Sequence, residues 1–404
     1  MTLNATRSPF LRRLRGPGLF ILTLLAIEFL DEFVFGSREA AWPLIRDDLH
    51  LTYYQIGLLL SVPGVLASVI EPVLGILGDV WRRRVIILGG GIGFALSCLL
   101  VAASQSFWPL MFASILFYPS SGAFVALSQS TLMDIDPARH EHNMARWTFA
   151  GSAGVVCGAL ALGLVVAAGL GWRAVLIAAF VMTVVLWLLL SRFPIRNGTP
   201  EDEENSPSFV DGLRNAARTL RRRDVLRWLT LLEFANLMLD ILYGFIALYF
   251  VDVVGTNIEQ AALAVAVWTG VGLLGDFLLI PLVERVRGLD YLRISAALEF
   301  ILFPAFLLVP GLLPKMLILA LLGFFNAGWY SILQGQLYSA MPGQSGTVMT
   351  LNNVFGLGGQ MLPFAIGLAA ERFGLGAAIW LCLLGPIALL VGLPRHTTPA
   401  RADQ

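Results

Sequence analysis

Charge is what this 404-residue chain has least of. Asp, Glu, Lys and Arg make up 13% of it, about half the roughly 25% usual in a soluble domain. Lys and Arg together number 27, as do Asp and Glu, so the formal net charge is zero and neither nucleic acid nor an acidic surface is suggested as partner. Cysteine is scarce too. Cys98, Cys157 and Cys382 all fall inside apolar runs, without CxxC spacing, which argues against a disulfide framework. His50, His140, His142 and His396 fall in loops or tails, so no buried imidazole metal site is expected. No Walker motif, nucleophile–base pair or metal cluster can be picked out, so neither ATP-driven transport nor an enzyme is expected. A cleavable leader is not expected either. The basic start (Arg7, Arg12, Arg13, Arg15) precedes an apolar stretch from about Leu19, and no small-residue cleavage site follows it.

Hydrophobic residues, at 57%, are what the chain is rich in. They form runs of about 20 residues separated by short charged loops, the pattern of bilayer-spanning helices. The runs predict twelve helices, at 17–37, 54–80, 85–104, 108–133, 146–168, 173–192, 226–250, 258–284, 290–312, 314–338, 346–369 and 373–393. An even count puts both termini on one side. On this division 22 of the cations fall on that side and five (Arg38, Arg46, Arg173, Lys315, Arg372) on the other. The positive-inside rule then makes both termini cytoplasmic, in a multi-pass protein of the inner membrane. The stretch from Asn197 to Arg223 opens acidic (Glu201-Asp202-Glu203-Glu204) and ends arginine-rich. It reads as a solvated linker with an interfacial amphipathic helix, or as a regulatory segment. Three parts follow: a six-helix bundle at 1–193, a linker at 194–225, and a second bundle with a short tail at 226–404.

The two bundles carry traces of duplication. At an offset of 205 residues, Glu28-Phe29 falls on Glu233-Phe234, Asp47 on Asp252, Gln55 on Gln260, Glu71 on Asp276 and Asp79 on Glu284. Gly151 and Gly154 meet Gly356 and Gly359 at the same offset. Glycine and leucine recur in any two apolar chains, but rare acids coinciding at one offset do not. An offset of about half the chain that keeps membrane orientation is what a parallel six-helix repeat requires.

Between the second and third spans the chain reads Gly75-Ile76-Leu77-Gly78-Asp79-Val80-Trp81-Arg82-Arg83-Arg84. Small glycines let the second helix approach a neighbour closely, and an aspartate at its end can pair with arginine or cap a helix. This segment resembles the signature loop of the major facilitator superfamily, with Arg82 at a glycine position and Val80 at a basic one. Glu284-Arg285-Val286-Arg287-Gly288 is a degenerate copy, and Gly171-Trp172-Arg173 opens the sixth span in the family's manner. The resemblance covers essentially the whole chain and is nearest to drug/proton antiporters. It implies an all-α integral membrane fold of twelve transmembrane helices in two pseudo-symmetric six-helix bundles. It also implies alternating access, and a path lined by helices 1, 4, 7 and 10. Gly75, Gly78, Asp79, Arg82, Arg83 and Arg84, with Glu71, Asp276 and Glu284, form the implied conformational latch. Two departures are plain: the fourth span has no arginine, and Gly154-Val155-Val156-Cys157-Gly158 lacks the proline and glycine pair of the exporter motif.

Acids inside a membrane are costly and suggest function. Glu28, Asp31 and Glu32 share one face of the first span. Glu71, Glu233, Asp240, Asp276 and Glu299 lie in others, and no cation is expected deep in any span. Such a cavity would repel anions and suit protons or cationic substrates. Glu28, Asp31, Glu32, Glu233 and Asp240 are therefore candidate proton or substrate sites. Packing within the helices, or a wet vestibule, is the alternative for each. Helix 10 adds Asn326, Trp329, Tyr330 and Gln334, helix 4 Tyr118, and helix 7 Asn236. These side chains suit an organic cation, a polyol through hydrogen bonds, or plain packing. The expected partners are a small-molecule substrate, protons and the bilayer, in a monomer without nucleic acid. No cofactor is expected, with a proton gradient as energy source. Export of amphipathic neutral or cationic compounds is one expectation. Symport of a neutral metabolite such as a sugar is another, and a non-transporting sensor a third.

Overall fold

A chain in lipid has no water to satisfy its backbone, so an apolar run must close its own hydrogen bonds as a helix. The computed structural model describes residues 17–80, 83–135, 140–194, 222–283, 285–340, 351 and 355–394, with only the backbone at 17, 71–80, 133–134, 140–142, 144–145, 280–281, 283 and 338. Helix dominates these residues and no strand occurs among them.

The first half comprises α1 (Pro17–Leu49), α2 (Tyr53–Val80), α3 (Arg83–Ala103), α4, α5 (His140–Ala167) and α6 (Trp172–Leu190). Helix α4 runs Phe107–Ser121, through a π turn at Gly122–Ala126, into Leu127–Ile135. In the second half α7 runs Arg223–Asn236, then a π turn Leu237–Ile241, Leu242–Tyr249 and a second π turn Phe250–Val254. There follow α8 (Ile258–Val283), α9 (Gly288–Leu308) and α10, split into Leu312–Asn326 and Trp329–Ala340. Helix α11 includes Leu362–Phe373, and α12 runs from Leu375–Ala378 through a 3-10 turn to Leu384–Gly392. These are the twelve expected spans. Ten of them hold a described stretch long and apolar enough to cross a membrane. Helix α1 misses that mark because Glu28, Asp31 and Glu32 load it with charge.

Two helices differ from expectation. Helix α1 continues twelve residues past 37, because the polar run that marked its end is paired off instead of solvated. Arg38 donates to Tyr118 Oη at 3.1 Å, and Trp42 Nε1 donates to Glu39 at 2.9 Å. Helix α10, expected as one span, breaks at Ala327–Gly328. Gly328 has φ +74°, a conformation open mainly to glycine. Asp276 of α8 accepts its N–H at 3.0 Å and so satisfies a donor the break exposes.

The described residues cluster into two compact units. The first takes in residues 17–194 together with 244–270 and 363–375 of α7, α8 and α11. In it α1 packs most extensively against α5. A Cβ at Gly36 would strike the backbone of Val155, and one at Gly158 the backbone of Phe33. The glycines therefore let the two backbones touch, as small residues do where lipid supplies no hydrophobic drive. The same device joins α2 to α11 at Gly57 and Gly367, where Ser61 Oγ accepts the Phe364 N–H at 3.0 Å. The second unit holds the described residues of 222–243, 271–362 and 376–394. There the start of α7 packs on α12 and on the second part of α10, and α9 lies against α10 and α12. Of the linker expected at 194–225, residues 195–221 lie outside the described residues, and α7 already begins at Arg223.

Candidate functional site

In the first unit a cavity of about 210 Å³ is lined by Glu28 and Asp31 of α1, by Ser121, Gly122, Val125, Ala126 and Gln129 of α4, and by Trp147 of α5. Its α4 wall is the π turn, which follows shortly after Pro119. Proline removes one helical hydrogen bond, and a π turn re-aims the side chains around it. The i, i+3 spacing brings Glu28 and Asp31 to one face of α1. Asp31 accepts a hydrogen bond from Ser121 Oγ at 2.9 Å. Glu28 is 8% exposed and also reaches α5, where a Cβ added to Gly151 would lie 2.6 Å from its Oε1. Glu32, one turn on, rests on Gly151 and Gly154. The glycines of α5 thus make room for the Glu28 carboxyl and the Glu32 side-chain stem.

Arg38, which the sequence places beyond the end of the first span, falls within α1. Two turns beyond Asp31 on the same helix face, its side chain is 10% exposed and sits 3.5 Å from Glu39. The guanidinium carbon lies 5.4–5.8 Å from the ring centroids of Phe35, Phe117 and Tyr118. Tyr118 is therefore engaged by Arg38 and is not among the residues that line the cavity. Hydropathy falls at Ser37-Arg38-Glu39, which by sequence alone puts Arg38 in a loop. The signal that it belongs to the helix is the Arg-Glu adjacency itself, which cancels the charge. Lys315 is buried too; it donates to the carbonyls of Phe306 and Leu307 near the end of α9.

In the second unit Glu233 of α7 lies against α11, with its Cδ 2.8 Å from a Cβ built on Gly359 and its Oε1 3.7 Å from one on Gly356. Its buried Oε2 has no hydrogen-bond partner among the described residues. Asp240 sits in the first π turn of α7 and is exposed; Asn236, one turn earlier, is half-buried. Helix α10 divides its candidates. Tyr330 is 54% exposed, whereas Trp329 is fully buried and donates to Ser295 Oγ at 2.9 Å. Asn326 is buried as well, and with its amide nitrogen turned toward α9 it donates to both oxygens of Glu299 at 2.9 and 3.1 Å. Trp329 and Asn326 thus bind α10 to α9 and present no open face. Gln334 is half-buried. Asp276 is exposed but committed to the Gly328 cap.

Of the expected latch, the side chains of Glu71, Gly75, Gly78 and Asp79, together with Arg82 and Glu284, lie outside the described residues. Arg83 is buried, and Arg84 donates to the Ser191 carbonyl at 2.7 Å, tying the start of α3 to the end of α6. The opposite ends of the helices carry a cluster that sequence reasoning missed. Arg46 of α1 and the Tyr53 hydroxyl of α2 both donate to Asp252 in the second π turn of α7. The Tyr53 N–H donates to Glu371 of α11 at 3.1 Å. Only the coincidence of Asp47 with Asp252 in the repeat hinted at this place.

A family profile described as Major Facilitator Superfamily matches residues 24–363. The chain is 30% identical over 125 residues to the class H tetracycline resistance protein of Pasteurella multocida, a match spanning 30% of each chain. It is 22% identical over 379 residues to the fosmidomycin resistance protein of Escherichia coli (strain K12), spanning 91% of each. Among solved structures, a mutant of the nucleoside transporter NupG superposes with a TM-score of 0.77 at 14% identity, covering 92% of this chain and 98% of that one. A bacterial homolog of the human lysosomal transporter Spinster, inward-facing and unoccupied, gives 0.74 at 17%, covering 94% and 96%. At such identities these structures speak for the fold alone.

Proposed function

Since this chain belongs to the Major Facilitator Superfamily, and is thus a multi-pass membrane transporter, we propose that it is a proton-coupled antiporter exporting amphipathic neutral or cationic compounds. One observation carries the reading: Glu28 and Asp31 stand side by side in a small cavity, with Ser121 engaging one of them. Carboxyl groups held among helices bind protons or cations. The names of the two resistance proteins accord with export. Alternating access would carry the cycle, with the two halves opening the path to each face in turn. The cluster of Arg46, Tyr53, Asp252 and Glu371 must then part when the path opens at that end. With 22 of the 27 cations assigned to the termini's side, that end faces outward and the termini face the cytoplasm.

Symport of a neutral metabolite is the second reading. The α4 wall favours it, because Ser121 and Gln129 line the cavity and can hydrogen-bond a neutral polar solute.

The test uses proteoliposomes with a trapped pH dye and an imposed proton gradient. Lipophilic cations, neutral drugs and sugars are added in turn. Proton flux opposite to the compound, abolished in Glu28→Gln and in Asp31→Asn, is the expected result. Flux in the same direction as the compound selects the symporter. Coupled flux that survives both substitutions overturns the roles given to these carboxyls.

A further inference from the structure

The repeat visible in the sequence has a counterpart in side-chain contacts. Glu28 and Glu233 stand 205 positions apart, and so do the glycine pairs Gly151/Gly154 and Gly356/Gly359. In each unit, taken by itself, the first helix of its half lays this glutamate on the glycine pair of the fifth. Glu28 touches the earlier glycine of its pair, Gly151, and Glu233 the later one, Gly359. At both positions any Cβ would collide with the carboxyl group, so each glycine is a recess that the carboxyl fills. The neighbouring acids are not duplicated in this way. Asp31 has Asn236 in its register, and Asp240 has Phe35.

From this we infer that the protein holds two equivalent proton sites, one per half, at Glu28 and Glu233. Asp31, which lacks an acidic twin, serves the substrate. The inference rests on the proton-coupled reading above. Each carboxyl takes a proton from water on one face and releases it to water on the other, and no other bond changes. The groups that face each site are few among the described residues. Around Glu28 the charged neighbours are Asp31 and Glu32 of its own helix; α4 brings Ser121 and Gln129, and α5 brings Trp147 and Gly151. Around Glu233 the charged neighbour among the described residues is Asp240 of its own helix, and α11 brings Gly356 and Gly359. Among the described residues no cation pairs with either carboxyl, and the Oε2 of Glu233 lies buried without a hydrogen-bond partner. A neutral carboxyl tolerates that burial far better than a carboxylate.

Difference infrared spectroscopy on the full-length protein in lipid, stepped between acid and alkaline pH, counts protonated carboxyl groups without any substrate. Glu28→Gln and Glu233→Gln should each remove a share of the titrating carboxyl band, of equal size, and the double variant both shares. Gly359→Ala should move the Glu233 share and leave the Glu28 share in place. If that variant fails to fold, the isosteric Glu233→Gln still decides. A Glu233→Gln band identical to the parent's overturns the inference. Loss of both shares, in a protein whose proteoliposomes show no proton-coupled flux, keeps the two sites and refutes the antiporter.

Discussion

A guanidinium buried between helices needs either a counter-ion or a face of aromatic rings, and Arg38 has both. Its contacts with Glu39, Tyr118 and three rings make it a strut of the first unit. Removing one partner of a buried ion pair typically costs about 3–5 kcal/mol, since the other charge is left without compensation. Arg38→Ala should therefore lower the melting temperature in detergent by many degrees. Arg38→Ala combined with Glu39→Gln should recover part of that loss. Equal melting of the single and double variants would mean that the pair contributes nothing as a pair.

At the scale of the helix, irregularity collects where the family places its path. A π turn interrupts α4 at Ser121–Gly122, another interrupts α7 at Asp240, and α10 breaks outright at Gly328. By contrast α3, α6 and α9 run without a π turn or break among the described residues. A discontinuous helix frees backbone groups that need new partners, and Asp276 supplies one. Asp276→Ala should cost about 1 kcal/mol, the usual worth of a helix cap. Gly328→Ala should cost more, since its Cβ would strike Leu279 and its φ is positive. Chemical denaturation of the purified protein would rank the two. Asp276→Ala more damaging than Gly328→Ala would show that the carboxyl, and not the backbone conformation, holds the break.

Across the molecule, the first unit recruits residues 244–270 and 363–375 from the second half of the chain. The seam is polar at its rim, through Arg46, Tyr53, Asp252 and Glu371, and close-packed inside, through Gly57 and Gly367. Tyr54 and Phe364 meet there edge to face, with centroids 5.3 Å apart. Cysteines at these two positions, in a background without Cys98, Cys157 and Cys382, should be joined efficiently by a short bifunctional thiol reagent. Adding Arg46→Ala or Asp252→Asn should reduce the yield several-fold by favouring the form in which the seam is parted. An unchanged yield would show that the glycine contact alone holds it.

How much of this was legible beforehand follows from what each feature depends on. Apolar runs about 20 residues long must become helices in lipid wherever they occur, so the span count, the repeat and the cluster of Glu28, Asp31 and Glu32 followed from the sequence by itself. Pairing between distant residues leaves no such local trace. Arg38 looked like a loop residue until Glu39 and Tyr118 were beside it, and Trp329 looked like a lining residue until Ser295 was. Asn326 and Glu299 are 27 positions apart, and only the packing of α9 on α10 brings them together. Local hydrophobicity determined which segments enter the membrane; tertiary contact decided which of their polar groups are committed to one another and which remain for a substrate or a proton.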